Sequence, residues 1–244
     1  MVEKIMLRLR RPAKPRSIAV EAPGGTIEIQ VKRSRRARRM LLRLDAAGDG
    51  FHLTLPPFAS LEEAASFARG QARWMAERLA AVPPRIPFCD GALVPVQGES
   101  LTIRHVGGTG RPVTRIGGEL VVTGDPAHLK RRVRDYLVSL ARAEIVREAQ
   151  QFGATVQRPL RRIVLRDPVT RWGSCSVSGA LSLSWRLILM PDCVLRYVVA
   201  HEVAHRVELN HGPRFWALVD RLVPDSAWCR DWLHNYGQHM LRYG

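Results

Sequence analysis

Pro191-Asp192-Cys193-Val194-Leu195-Arg196-Tyr197-Val198-Val199-Ala200-His201-Glu202-Val203-Ala204-His205, continuing as Arg206-Val207-Glu208-Leu209-Asn210-His211-Gly212-Pro213, is the stretch on which the fold turns. Pro191 and Asp192 are a helix start, and Val194, Leu195, Val198, Val199 and Val203 give that helix an apolar side that embeds it in a core. On a helix, residues four apart share one face about 5–6 Å apart, so His201 and His205 can place both imidazoles on one metal ion. Glu202 lies one position on, roughly 100° round the helix, where it reaches a water on the metal without being a ligand. A zinc ion lowers the pKa of such a water towards about 7, and a neighbouring carboxylate can then take its proton. The bland alternative is a chance five-residue match on a helix that merely packs.

A third protein ligand separates the two, because catalytic zinc sites usually have three. His211 is the leading candidate. On an unbroken helix it would lie too far along the axis. Asn210, however, tolerates a left-handed conformation, Gly212 is permissive, and Pro213 biases His211 away from helical angles. A helix ending at Leu209 or Asn210 would swing His211 back to the metal. The alternative is an acidic third ligand on a later helix, Asp220 or Asp225, and His234 or His239 could also compete. His52, His105 and His128 stand alone and read as ordinary surface or strand residues.

Working outward, two short apolar strands, residues 163–165 and 180–184, flank Arg171-Trp172-Gly173-Ser174-Cys175. Upstream, Asp125 with Pro126 is an N-cap and first-turn proline opening a helix to about Gln151, stopped at Gly153. Residues 94–96, 101–103 and 120–122 are short strands separated by the Gly107-Gly108 and Gly117-Gly118 turns. Ser60 and Glu63 form a capping-box pattern before a helix running to about Ala81. The alternating segments 26–31, 40–44 and 51–55 suggest a small antiparallel meander, preceded by a loose basic arm over residues 1–16. The fold class expected is therefore α+β, with a β-rich part over residues 1–124 and a mostly helical, metal-binding part over 125–244.

The 244 residues are 46% hydrophobic and 25% charged, an ordinary globular balance, but the formal charge of +16 predicts attraction to anions. Lys32-Arg33-Ser34-Arg35-Arg36-Ala37-Arg38-Arg39 holds six basic residues and no acid. It suits phosphate contact with a nucleic acid or another polyanion. No aromatic residue lies within the run, so its sequence does not support base stacking, and the competing interpretation is a solvated hairpin. Cys89, Cys175, Cys193 and Cys229 are widely spaced with no C-x-x-C pair, so neither a thiolate zinc site nor a disulfide framework is suggested and isolated thiols are expected. The short patch Ile5-Met6-Leu7 falls short of a signal-peptide core, and no apolar stretch is long enough to span a membrane. A soluble, cytoplasmic protein is expected.

Several of these pieces occur together in one family. Arg171-Trp172-Gly173-Ser174-Cys175, Leu187 with Pro191, Tyr197-Val198-Val199, the His201 to His205 motif, and Asn210-His211 followed by Phe215-Trp216 resemble the YgjP-like metallopeptidase-domain family, which is related to SprT-type and other zincin hydrolases. The basic N-terminal strands and Asp90-Gly91-Ala92 also fit that layout. The resemblance implies a zincin-like fold, Zn2+ held by His201, His205 and His211, and Glu202 as base. It also implies a substrate-binding role for Arg171, Trp172 and Ser174, beside which the competing interpretation is a tight turn at Gly173 with Trp172 as a core anchor. The His201 to His211 spacing equals that of metzincins, but Glu208 stands where those proteins place a helix-breaking glycine.

The function expected is zinc-dependent hydrolysis of a peptide. The alternatives are a nucleoside triphosphate pyrophosphatase, favoured by Arg171, Arg186, Arg196 and Arg206 near the motif, and a nucleic-acid-binding protein with a structural metal. For a peptide, an edge strand beside the metal helix is expected to supply the groove, lined by residues 171–174 or provided by the strand at residues 180–184.

Overall fold

The computed structural model describes residues 16–45 and 48–244. Of the expected basic arm, residues 1–15 lie outside the described residues. The chain forms two compact units, one ending at Val82 and the other spanning Pro83–Gly244.

The first unit holds β1 (Arg16–Ala22), β2 (Gly25–Arg33), β3 (Leu41–Leu44) and β4 (Phe51–Leu55) in the order β1-β2-β4-β3. It is not the antiparallel meander expected from the alternation. β2 and β4 run parallel, and β3 pairs antiparallel on the far side of β4. Alternation within a strand fixes which side chains face inward, but it carries no information about neighbours. Val20, Ile27, Ile29, Phe51, Leu53 and Leu55 form the buried face, joined by Ala64, Ala68 and Met75 of two helices. Those helices, α1 (Leu61–Gly70) and α2 (Ala72–Ala80), replace the single helix expected over 60–81. Gly70, a poor helix former, ends the first, and Gln71 caps it. The capping box is present, with Glu63 N–H donating to Ser60 Oγ at 3.0 Å and Ser60 N–H donating to Glu63 Oε2 at 2.6 Å.

In the second unit, β5 (Leu93–Val96), β6 (Glu99–Gly107), β7 (Val113–Ile116) and β8 (Glu119–Thr123) form a sheet in the order β5-β6-β8-β7. The β5–β6 turn uses Gln97 and Gly98 at φ 51° and 87°, the pair of positive φ values a tight hairpin turn demands. This turn anchors the start of the histidine helix. Gln97 N–H donates to Ile188 O at 2.9 Å and its side-chain amide reaches Asp192 Oδ1 at 3.4 Å. After a single 3-10 turn capped by Asp125, α3 (Leu129–Thr155) runs straight through Gly153. That glycine serves a close approach. A β-carbon there would meet Arg158 O at 3.3 Å where the chain folds back.

β9 (Arg162–Arg166), β10 (Gly173–Cys175) and β11 (Ala180–Ser184) make a sheet ordered β10-β11-β9. Then follow α4 (Asp192–Ala204), α5 (Pro213–Leu222) and α6 (Ser226–Met240). Val94, Ile103, Leu120, Val133, Leu137, Leu183, Val199 and Phe215 belong to one buried core. This shared core is why the contacts divide the chain after Val82, whereas the change from strands to helices near residue 124 falls inside a unit. Arg186 ties the C-terminal end of the chain to it. Its guanidinium donates to Asp167 Oδ1 at 2.6 Å and to the carbonyls of Met240 and Tyr243 at 3.2 and 2.6 Å. No helix among the described residues is long and apolar enough to cross a membrane.

Candidate active site

His201 and Glu202 lie in the last turn of α4, and His205 is the residue that caps it. The helix ends earlier than the Leu209 or Asn210 expected. Arg206 N–H and Val207 N–H bond back three residues, to Val203 O at 2.8 Å and Ala204 O at 2.9 Å, which tightens the helix end into a turn. The chain then reverses, with Gly212 N–H on Asn210 O at 2.8 Å, and Pro213 opens α5. The reversal brings His211 Nε2 to 3.0 Å from His201 Nε2. Phe215, fully buried, packs its ring against all three imidazoles at centroid distances of 4.9 Å (His201), 4.6 Å (His205) and 4.6 Å (His211).

Three ring nitrogens, one from each of His201, His205 and His211, lie within 4.8 Å of one another, and among the described residues no other His, Cys, Asp or Glu joins the group. Asp220 accepts a hydrogen bond from Ser226, Asp225 heads α6, and His234 and His239 are exposed on α6. The donor chemistry fits a divalent ion. Burial, reinforced by the neighbouring imidazoles, lowers the His201 pKa to about 4, and burial also lowers that of His205, so the neutral, lone-pair-bearing form is favoured. A carbonyl can only accept, so His205 Nδ1–H donates to Glu208 O at 3.1 Å and the Nε2 lone pair is left free. His201 Nδ1 is buried with no hydrogen-bond partner.

Glu202 stands beside this cluster, only 8% exposed. Burial pushes its pKa up to about 7, against the opposing pull of the Arg171 charge and a hydrogen bond from the Cys175 backbone N–H. The strand that holds it is β10. Ser176 N–H and Ser184 N–H bond to Ala180 O and Trp172 O, so the even-numbered residues pair with β11 while Gly173 and Cys175 turn their backbone groups to the open edge. Glu202 lies against that edge so closely that a β-carbon on Gly173 would sit 2.6 Å from its Cγ and Oε1.

A cavity of about 200 Å³ opens next to it, lined by Arg171, Trp172, Gly173, Tyr197, Val198, His201, Glu202 and Leu233. Arg171 and Trp172 are thus brought to the site. Ser174 is not among the lining residues and pairs with Ser182 on the next strand. Of the two segments expected at the groove, the strand at 180–184 is β11, which is paired on both sides and has no open edge; that position belongs to β10, which begins within the 171–174 segment. A larger cavity of about 670 Å³ lies between the end of α3 and β9, lined by residues such as Gln150, Arg158 and Ile163. It contains none of the clustered histidines, so donor chemistry rather than size picks out the site.

A family model described as the YgjP-like metallopeptidase domain matches residues 38–236. The chain belongs to that family. At family level the YgjP-like domain is a metallohydrolase of peptidase type, and it implies a metal, typically zinc. A search of the curated proteins found no match to the chain.

Sequence reasoning put residues 171–174 at the groove but missed the space Gly173 leaves for Glu202, the Cys175 N–H, Tyr197 and Leu233 as parts of the site. Gly173 stood in view within the Arg171 to Cys175 segment, but the space its missing side chain leaves is defined only once α4 docks. Gly173→Ala is expected to keep the fold and the metal while displacing the Glu202 carboxylate, lowering turnover roughly 100-fold, the cost of misplacing a reacting group by about 1 Å. Metal analysis, a thermal melt and a turnover assay on the same preparation check this. Parent-like turnover would show that Glu202 finds an equivalent position.

Proposed function

We propose that this chain is a zinc-dependent hydrolase of peptide bonds with a zincin-like arrangement, in which α4 and the turn that follows it supply the metal ligands and the base while β10 aligns the substrate. The observation that carries this is the placement of Glu202, buried beside three converging imidazoles without being one of them and held by an open strand edge. His201, His205 and His211 would hold the ion. Structural zinc sites are closed by four protein ligands, whereas a three-histidine set leaves a position for chemistry, which argues against a purely structural metal. When bound, zinc supplies Lewis acidity and activates water for attack near neutral pH.

Glu202 takes the proton from the attacking water and delivers it to the leaving amine, the general-base and general-acid halves of one proton transfer. Cys175 N–H and the Gly173 cradle keep its carboxylate aimed at the cavity. Arg171, on the cavity wall, is placed to stabilise negative charge that develops on the substrate oxygen. The outward backbone groups of Gly173 suit an extended peptide lying alongside β10 as an added strand.

A triphosphate needs several free cations around the site. Of the four arginines near the motif, Arg186 is bound to Asp167 and two carbonyls, Arg196 pairs with Glu148 at 3.2 Å, and Arg206 donates to Val177 O. Arg171 alone of these four lines the cavity, which supports peptide over phosphoanhydride. Parent and Glu202→Gln proteins, loaded with zinc, are to be assayed in parallel on unstructured peptides and nucleoside triphosphates. Peptide cleavage lost in the variant is expected. Triphosphate turnover lost in the variant, with no peptide cleavage by the parent, would reverse the choice of substrate.

A further inference from the structure

We propose that the end of the first unit's sheet where β2 and β4 finish is a binding surface for single-stranded nucleic acid, with the basic loop contacting phosphates and Phe58 stacking on a base. β4 lies between β2 and β3 in the sheet, so the connection over residues 34–40 has to pass across the end of β4. Two contacts hold it there. Ser34 N–H donates to Leu55 O at 2.9 Å, and Arg33 Nη1 donates to Pro57 O at 2.9 Å. The next residue is Phe58. The aromatic group absent from the basic run in sequence is therefore supplied at the same end of the sheet, about twenty residues further along the chain.

Phe58 is 80% exposed although Leu55 and Ala59 on either side are buried and Ala59 N–H closes a turn onto Pro56 O. The backbone is fixed by its neighbours and by two prolines while the ring faces solvent. One exposed apolar side chain is ordinary by itself; its company is not. Lys32, Arg35, Arg36, Arg38 and Arg39 are all exposed, and among the described residues none of the five forms an ion pair. The carboxylates of Glu21 and Asp45 sit at turns on the opposite end of the sheet. The acids nearest Phe58 in sequence are Glu62 and Glu63, and the Glu63 carboxylate caps α1 through Ser60 N–H. Exposed cations without ion-pair partners among the described residues, at the same end of the sheet as an exposed ring, match a single strand, whose phosphates and base faces are both available. A duplex hides its base faces.

Fluorescence anisotropy of a short labelled oligothymidylate titrated with the full chain tests this, against a duplex of equal length. Oligothymidylate is expected to bind more tightly than the duplex. Phe58→Ala is expected to weaken it about tenfold or more, while Phe58→Trp retains binding. Replacing Arg35, Arg36, Arg38 and Arg39 together with Gln is expected to reduce the slope of log affinity against log salt by roughly 3. Arg33 is left in place because it holds the loop. All these side chains lie outside the core, and thermal melts confirm that each variant is folded. Equal or tighter binding to the duplex would overturn the proposal, as would parent-like binding by Phe58→Ala, or an unchanged salt slope in the four-Gln variant.

Discussion

Glu202→Gln protein is expected to fold, to hold its metal, and to lose turnover by about 10²–10⁴-fold, the range a positioned proton acceptor contributes. Gln has nearly the shape of Glu, so it fits the cradle that Gly173 leaves, and its amide oxygen can still accept from Cys175 N–H. What it cannot do is take a proton. The loss should therefore fall on the rate at saturating substrate, with metal content and melting temperature unchanged. Turnover within about tenfold of the parent would mean that another group acts as base. Glu202→Asp adds a control, because it keeps the carboxylate but withdraws it from the strand edge and should fall between parent and Gln.

The second large effect concerns the metal. Purified parent is expected to hold about one zinc per chain, and a His201→Ala, His205→Ala double variant to hold none. His211→Ala is expected to lose most of its affinity, because that imidazole reaches the cluster at 3.0 Å from His201. Elemental analysis after dialysis measures this directly. A melt with and without chelator gives an independent readout, since an ion bound only by the folded state raises its stability. Chelation should lower the parent's melting temperature and leave the double variant's unchanged. Full metal in the double variant would remove the three-histidine assignment. Full metal in His211→Ala alone would show that the third position is filled by another group.

Several elements in both units followed from local chemistry. Helix α4 begins where Pro191 and Asp192 put it, α5 begins at Pro213, and the capping box at Ser60 and Glu63 forms as its spacing demands. His201, Glu202 and His205 were brought together by a four-residue spacing, which is a property of one helix and needs no tertiary information. The return of His211 was expected from Asn210, Gly212 and Pro213, and Pro213 does open α5. Asn210 has no positive φ, however, and Gly212 is extended at φ −82°, ψ −178°, so the reversal does not use the left-handed conformation those two residues would allow.

Where the helix would stop was less legible, since the tight turn after Ala204 comes where Phe215, from the next helix, packs against all three imidazoles. The pairing of strands was not legible at all. Alternation of apolar and polar residues says which face is buried, but not that β4 would slip between β2 and β3, nor that β10 and not β11 would carry the open edge. Two consequences are therefore tertiary alone. Gly173 and the Cys175 N–H meet Glu202, and Phe58 meets the arginine loop's end of the sheet, because residues far apart in the chain approach only when their elements pack. Residues within a few positions of one another interact through geometry that the sequence itself determined, whereas long-range partners are chosen by the packing of whole faces, which no single segment encodes.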